Sequence, residues 1–142
     1  MTSAKKADLS KAEWKVMKIV WDLKKGMARE VYTVATELYD WSPATTKTLL
    51  KRLVDKGWLT TTTVGNGFVY RPAGTAMSAL RSAANTLLEN TVQSATGPLL
   101  AHMVRQTTLD ENDLDALQKL IDAKKKSLKK QQKPNHQNKR KA

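Results

Sequence analysis

Apolar residues recur on a 3.6-residue period through the first part of the chain, and near residue 58 the pattern switches to a two-residue alternation. Leu9-Ser10-Lys11-Ala12-Glu13-Trp14 reads as a helix start, with Ser10 and Glu13 at capping-box spacing and Leu9 placed to staple onto Trp14. The helix so opened turns Trp14, Met17, Val20 and Trp21 inward, Val16, Ile19 and Leu23 widen the apolar face, and Gly26 is the expected stop. A second helix is predicted over roughly Ala28 to Tyr39, with Val31, Val34, Ala35 and Leu38 inward. After the connector Tyr39-Asp40-Trp41, a third helix has Ser42 as N-cap, Pro43 at its first position and Gly57 just past its end. Its inner face is Thr46, Leu49, Leu50, Leu53 and Val54. Its outer face gathers Thr45, Lys47, Thr48, Lys51 and Arg52, with no acid before Asp55.

Trp58-Leu59-Thr60-Thr61-Thr62-Thr63-Val64 is rich in β-branched and aromatic residues. Gly65-Asn66-Gly67 signals a turn, and Phe68-Val69-Tyr70-Arg71 alternates again before Pro72. Three helices followed by a hairpin is the order of a winged-helix domain, expected over residues 1–72. The chain then reads as helical from about Thr75 to Gln106, interrupted near Gly97-Pro98. A last helix starts at Leu109-Asp110, with Asp110 as cap, and continues through Leu114, Leu117, Leu120 and Ile121. Leu80, Leu87 and Leu88, then Leu99, Leu100, Met103 and Val104, offer more apolar surface than a slim helical arm buries alone, and the three- and four-residue intervals of Leu114, Leu117 and Ile121 suit a helix–helix seam. Residues 73–123 are therefore read as a helical dimerisation domain; the rival is a cap folded back on the first domain. The fold class expected is mainly α.

Charge sharpens this picture because it is unevenly placed. Residues 1–71 carry +6, residues 72–123 carry −3 and residues 124–142 carry +9. The last segment is almost all Lys, Gln and Asn and is expected to be a frayed helix end running into a disordered basic tail. A polyanion partner is favoured for the first domain. A basic, hydroxyl-bearing outer face on the third helix suits a DNA major groove, where cations and hydroxyls meet phosphates and base edges. The candidate DNA contacts are Ser42, Thr45, Lys47, Thr48, Lys51 and Arg52, with Asn66 and Arg71 on the wing. The alternative is a winged-helix protein-interaction or architectural module whose general DNA affinity comes from the tail.

Other classes find little support. There is no cysteine, so disulfides and thiolate chemistry are excluded, in keeping with a reducing cytoplasm. No apolar run of about 18 residues suggests a membrane span, and Met1 to Asp8 lacks a signal core. No paired carboxylates, activated nucleophile or phosphate-cradling glycine loop marks an enzyme. His102 and His136 lack metal-ligand spacing, so neither metal nor cofactor is expected, and His102 is read as a partly buried packing residue.

Three motifs carry a family resemblance. They are Leu9-Ser10-Lys11-Ala12-Glu13-Trp14-Lys15-Val16-Met17 with Val20-Trp21; Trp41-Ser42-Pro43-Ala44-Thr45-Thr46-Lys47-Thr48-Leu49-Leu50 with Arg52-Leu53 and Lys56-Gly57; and Gly67-Phe68-Val69-Tyr70. In content and order they resemble the penicillinase repressor and copper-transport repressor family (BlaI/MecI/CopY) over about residues 8–123. The wording of the third helix is closer to the copper-type branch. The resemblance implies a homodimeric repressor whose third helix reads an operator dyad, with Thr45, Lys47, Thr48 and Lys51 facing the groove and Arg52 a phosphate or structural partner. Two features of the family are missing here. The copper-type Cys-x-Cys pair is absent, and the Asn-Phe bond cut in penicillinase-type members is replaced by His102-Met103. The resemblance implies control of copper-transport or β-lactam-resistance-type genes, and with both devices missing it supplies no inducing signal.

Overall fold

The Ser10 capping box forms as its spacing predicts: Ser10 Oγ accepts from the Glu13 amide at 3.2 Å, and Glu13 Oε1 accepts from the Ser10 amide at 2.7 Å. In the computed structural model, which describes residues 7–141 and side chains as far as residue 131, this cap opens helix α1 (Lys11–Leu23). Val16, Met17, Ile19 and Val20 are buried, while Trp14 and Trp21 are half-buried, their rings 6.1 Å apart. The face is thus centred on the smaller residues, and the tryptophans close its rim. Gly26 is not the stop. Lys24, at φ +73°, caps the helix and donates its amide to the Val20 carbonyl at 2.8 Å. Gly26 instead begins strand β1 (Gly26–Met27), which is too short to leave a period in the sequence.

Helix α2 (Ala28–Tyr39) buries Val31 and Ala35 and ends at Asp40, in the left-handed region at φ +57°. Leu38, expected inside, is 62% exposed, and Tyr39 packs against the core from the last turn of α2 in its place. Helix α3 (Pro43–Asp55) takes Ser42 as N-cap, buries Thr46, Leu49, Leu50 and Leu53, and is followed by Gly57 at φ +86°. Strands β2 (Leu59–Val64) and β3 (Gly67–Pro72) pair antiparallel from Leu59↔Pro72 to Val64↔Gly67. Gly65 at the turn has φ +60°, the backbone that a two-residue hairpin turn requires at its first position. β1 adds to the free edge of β3, giving the sheet order β1-β3-β2.

Trp58 and Leu59 complete the core formed by α1, α2 and α3. The segment before α1 is stitched to it: Trp58 Nε1 donates to the Ala7 carbonyl at 2.8 Å, and Lys56 Nζ donates to the Asp8 carbonyl at 3.1 Å. Helix α4 (Ala76–Asn90) joins the same core through buried Ala79, and its Ser82 hydroxyl donates to Asp8 Oδ1 at 3.1 Å. The compact units consequently divide between Thr91 and Val92, beyond the residue-72 boundary read from the sequence.

The second unit holds α5 (Gln93–Gln106) and α6 (Glu111–Lys141). The break expected at Gly97-Pro98 falls instead at Thr91-Val92, two extended β-branched residues, and Pro98 lies inside α5. Asp110 caps α6, its Oδ1 accepting from the Asp113 amide at 2.8 Å. α6 carries helix through the segment whose composition predicts an unfolded tail. Lys and Gln are favourable helix residues, and extending a helix costs far less than starting one. His102 is exposed on α5, not partly buried, because the apolar stripe of that helix lies on another face. His136 lies outside the residues whose side chains are described.

Candidate nucleic-acid interface

Helix α3 is held at both ends. At its start Ser42 Oγ accepts from the Thr45 amide at 3.3 Å and lies 3.0 Å from Thr45 Oγ1. Just past its end, Lys56 Nζ sits 2.7 Å from Glu13 Oε1, where Glu13 is fully buried and Lys56 about a quarter exposed. Burial pushes the Glu13 carboxyl up, but hydrogen bonds from Lys56 and the Ser10 amide, with the Lys56 charge, outweigh it and hold the carboxyl below its ordinary range. Glu13 is therefore a carboxylate at neutral pH, and it fixes the end of α3 to the start of α1.

Ser42, Thr45, Lys47, Thr48, Lys51 and Arg52 are all exposed on α3 while its apolar residues face the core. Their chemistry is not uniform. Thr48 Oγ1 donates to the Ala44 carbonyl at 3.0 Å, so its hydroxyl offers outward lone pairs and no free proton. Lys47, Lys51 and Arg52 are the charged donors of this face. Lys47 Nζ stands over the Tyr32 ring of α2, 5.5 Å from its centroid, which holds the ammonium toward the hairpin side of the helix. Tyr32 escaped the sequence reading because nothing local to α2 shows that α3 lies beside it.

The wing residues are not brought together. Asn66 is exposed at the hairpin tip, whereas Arg71 pairs with Thr60 near the base, five residues away or about 16 Å along the strand. In the second unit, an apolar groove of about 670 Å³ is lined by Leu100, Met103, Val104, Leu114, Leu117 and Ile121, among others. Leu99, placed with them by periodicity, is half-buried and does not line it. Among the described residues no group of three His, Cys, Asp or Glu is arranged to hold a metal ion, and no helix is long and apolar enough to cross a membrane.

The sequence model of one family, described as the penicillinase repressor, matches residues 9–123, spanning both units. The chain belongs to the penicillinase repressor family. One relative in this family is an uncharacterised 16.5 kDa protein from the ptsI 3′ region of Latilactobacillus sakei, 36% identical over 117 residues, covering 82% of this chain and 80% of that one. Another is the methicillin resistance regulatory protein MecI of Staphylococcus aureus strain N315, 24% identical over 117 residues, covering 82% of this chain and 95% of MecI. Among solved structures, monomeric BlaI of Bacillus licheniformis in complex with the blaP half-operator is 36% identical. That match covers 51% of this chain and 88% of BlaI, with a TM-score of 0.46. The capped first helix and the Pro-initiated third helix both lie within the matched span.

Proposed function

We propose that this protein is a sequence-specific DNA-binding transcriptional repressor that acts in the cytoplasm as a homodimer on an operator dyad. The observation that carries the reading is the outer face of α3, where Lys47, Lys51 and Arg52 stand exposed with no acid among them, in a chain of the penicillinase repressor family. Phosphate contacts set affinity and register, and base-edge contacts set sequence. Thr45, Lys47, Thr48 and Lys51 face the major groove. Ser42 and Arg52 hold the backbone on either side, Asn66 reaches the duplex from the wing tip, and Arg71 contacts phosphate from the hairpin base. A second copy covers the apolar groove of α5 and α6, which sets two α3 helices on two half-sites. Repression is steric: occupation of the promoter keeps polymerase from starting.

The regulated genes are of the copper-transport or β-lactam-resistance type, by the family's names. Release does not use thiolate-bound copper, because the chain has no cysteine. The basic residues beyond 123 favour a second reading, an architectural module with general DNA affinity. Selection of bound fragments from the host genome with purified protein separates the two. A repressor enriches a few promoter sites sharing one dyad, and the double variant Lys47→Ala/Lys51→Ala loses them in a gel shift. A flat recovery across the genome, abolished by deleting residues 124–142, would establish the architectural reading instead.

A further inference from the structure

Between α2, α3 and the sheet lies an open groove of about 440 Å³, lined by Met27, Ala28, Arg29, Tyr32, Lys47, Gly67, Phe68 and Tyr70. Its walls are unlike the rest of the basic surface. Three aromatic rings and a thioether form them, two cations stand at the rim, and no acid is among the lining residues. Phe68 is 54% exposed and Met27 37%, so apolar area that a sheet face would ordinarily bury is held open here. The Met27 wall depends on the missing side chain at Gly67, where a Cβ would stand 2.5 Å from Met27 Cε. Lys47 Nζ already leans into the groove over the Tyr32 ring.

We propose that this groove binds a small aromatic carboxylate and that the bound ligand loosens the protein's hold on DNA. The volume suits one small ligand, and an apolar lining with few polar groups is the usual make-up of such sites. A cation is repelled by Arg29 and Lys47. A neutral ring gains nothing from the two cations, and a bare oxyanion gains nothing from the aromatic walls. An aromatic carboxylate satisfies both halves: its ring packs on Phe68 and Tyr70, and its oxygens accept from the Arg29 guanidinium and the Lys47 ammonium. Lys47 is the pivot. A ligand that engages its ammonium withdraws it from the DNA face, so ligand and DNA weaken each other reciprocally. The second half of the proposal rests on the repressor reading; the first does not.

The test begins without DNA. The full-length protein is titrated with sodium benzoate, benzyl alcohol and sodium phosphate at matched ionic strength, and backbone amide resonances are followed. Benzoate should give saturable shifts at Ala28, Arg29, Gly67 and Phe68, with affinity about tenfold above either control. Phe68→Ser and Arg29→Gln should each weaken benzoate about threefold or more while leaving the remaining amide spectrum in place. Equal shifts from benzoate and phosphate, or unchanged benzoate affinity in Phe68→Ser, would overturn the site. Saturating benzoate should then lower affinity for the best genomic fragment about fivefold or more against a chloride control. Unchanged affinity would overturn the release role. Failure of the repressor reading is read separately, as a selection that enriches no fragment.

Discussion

Thr46 sits on the inner face of α3, and its hydroxyl oxygen is buried with no hydrogen-bond partner among the described residues. A buried, unsatisfied hydroxyl costs stability that an isosteric methyl does not. Thr46→Val should therefore raise stability by about 1 kcal/mol, seen as a rise in Tm. A fall in Tm would mean that the hydroxyl has a partner worth more than the burial. Glu13 makes the opposite case. Against the opposing effect of burial, its pKa is held below the ordinary carboxylate value, chiefly by Lys56, so its contribution to stability is present above the unfolded pKa and is lost as pH falls through the folded one. Lys56→Met should cost about 3 kcal/mol at neutral pH by leaving a buried carboxylate uncompensated. It should also reverse the local pH dependence: without the cation, burial raises the Glu13 pKa, and stability then increases as acid protonates the group. Thermal melts between pH 3 and pH 7 would read both signs. The capping role of Glu13 was legible in its spacing from Ser10, whereas its bond to Lys56 spans 43 positions and has no local signature.

Elements with caps at both ends were the most legible. α3 is bracketed by Ser42, Pro43 and Gly57, all of which stand where their conformational preferences place them. Ser42→Ala should cost about 1 kcal/mol and loosen the first turn, with hydrogen exchange rising at the Thr45 amide. Unchanged exchange there would show that the 3.3 Å bond from that amide is dispensable. Elements defined by a partner were not legible. β1 is two residues long and exists because the edge of β3 needs pairing. The boundary between α4 and α5 was misplaced for a different reason. Pro98 is the sixth residue of α5 and removes one i→i−4 hydrogen bond there without ending the helix, while the two extended residues Thr91 and Val92 make the break.

For the whole molecule, DNA binding predicts a salt dependence that can be apportioned. Lys51→Ala should reduce the slope of log K against log salt by about 1 if Lys51 meets phosphate. If it meets a base edge, sequence preference should relax with less change in slope. Deleting residues 124–142 removes nine cations, so the slope should fall further while the preferred site stays the same. Leu117→Glu places a charge in the apolar groove of the second unit. Sedimentation should then show a monomer, with the melting of the first unit preserved; a dimer that survives this change would place the pairing surface elsewhere.

The sequence by itself determined the local outcomes: where α1, α2 and α3 begin, how α3 divides into an apolar and a basic face, and that a glycine turn joins β2 to β3. Caps, periodicity and turn residues act over a few positions, so they are written in adjacent letters. Tertiary structure alone decided what those faces meet. It set Tyr32 beneath Lys47, gathered Arg29 and Phe68 at one groove, tied Lys56 to Glu13 and bound α4 into the first unit through Ala79. These contacts join residues far apart in the chain, and their energy comes from packing and burial that no short stretch possesses before the chain folds.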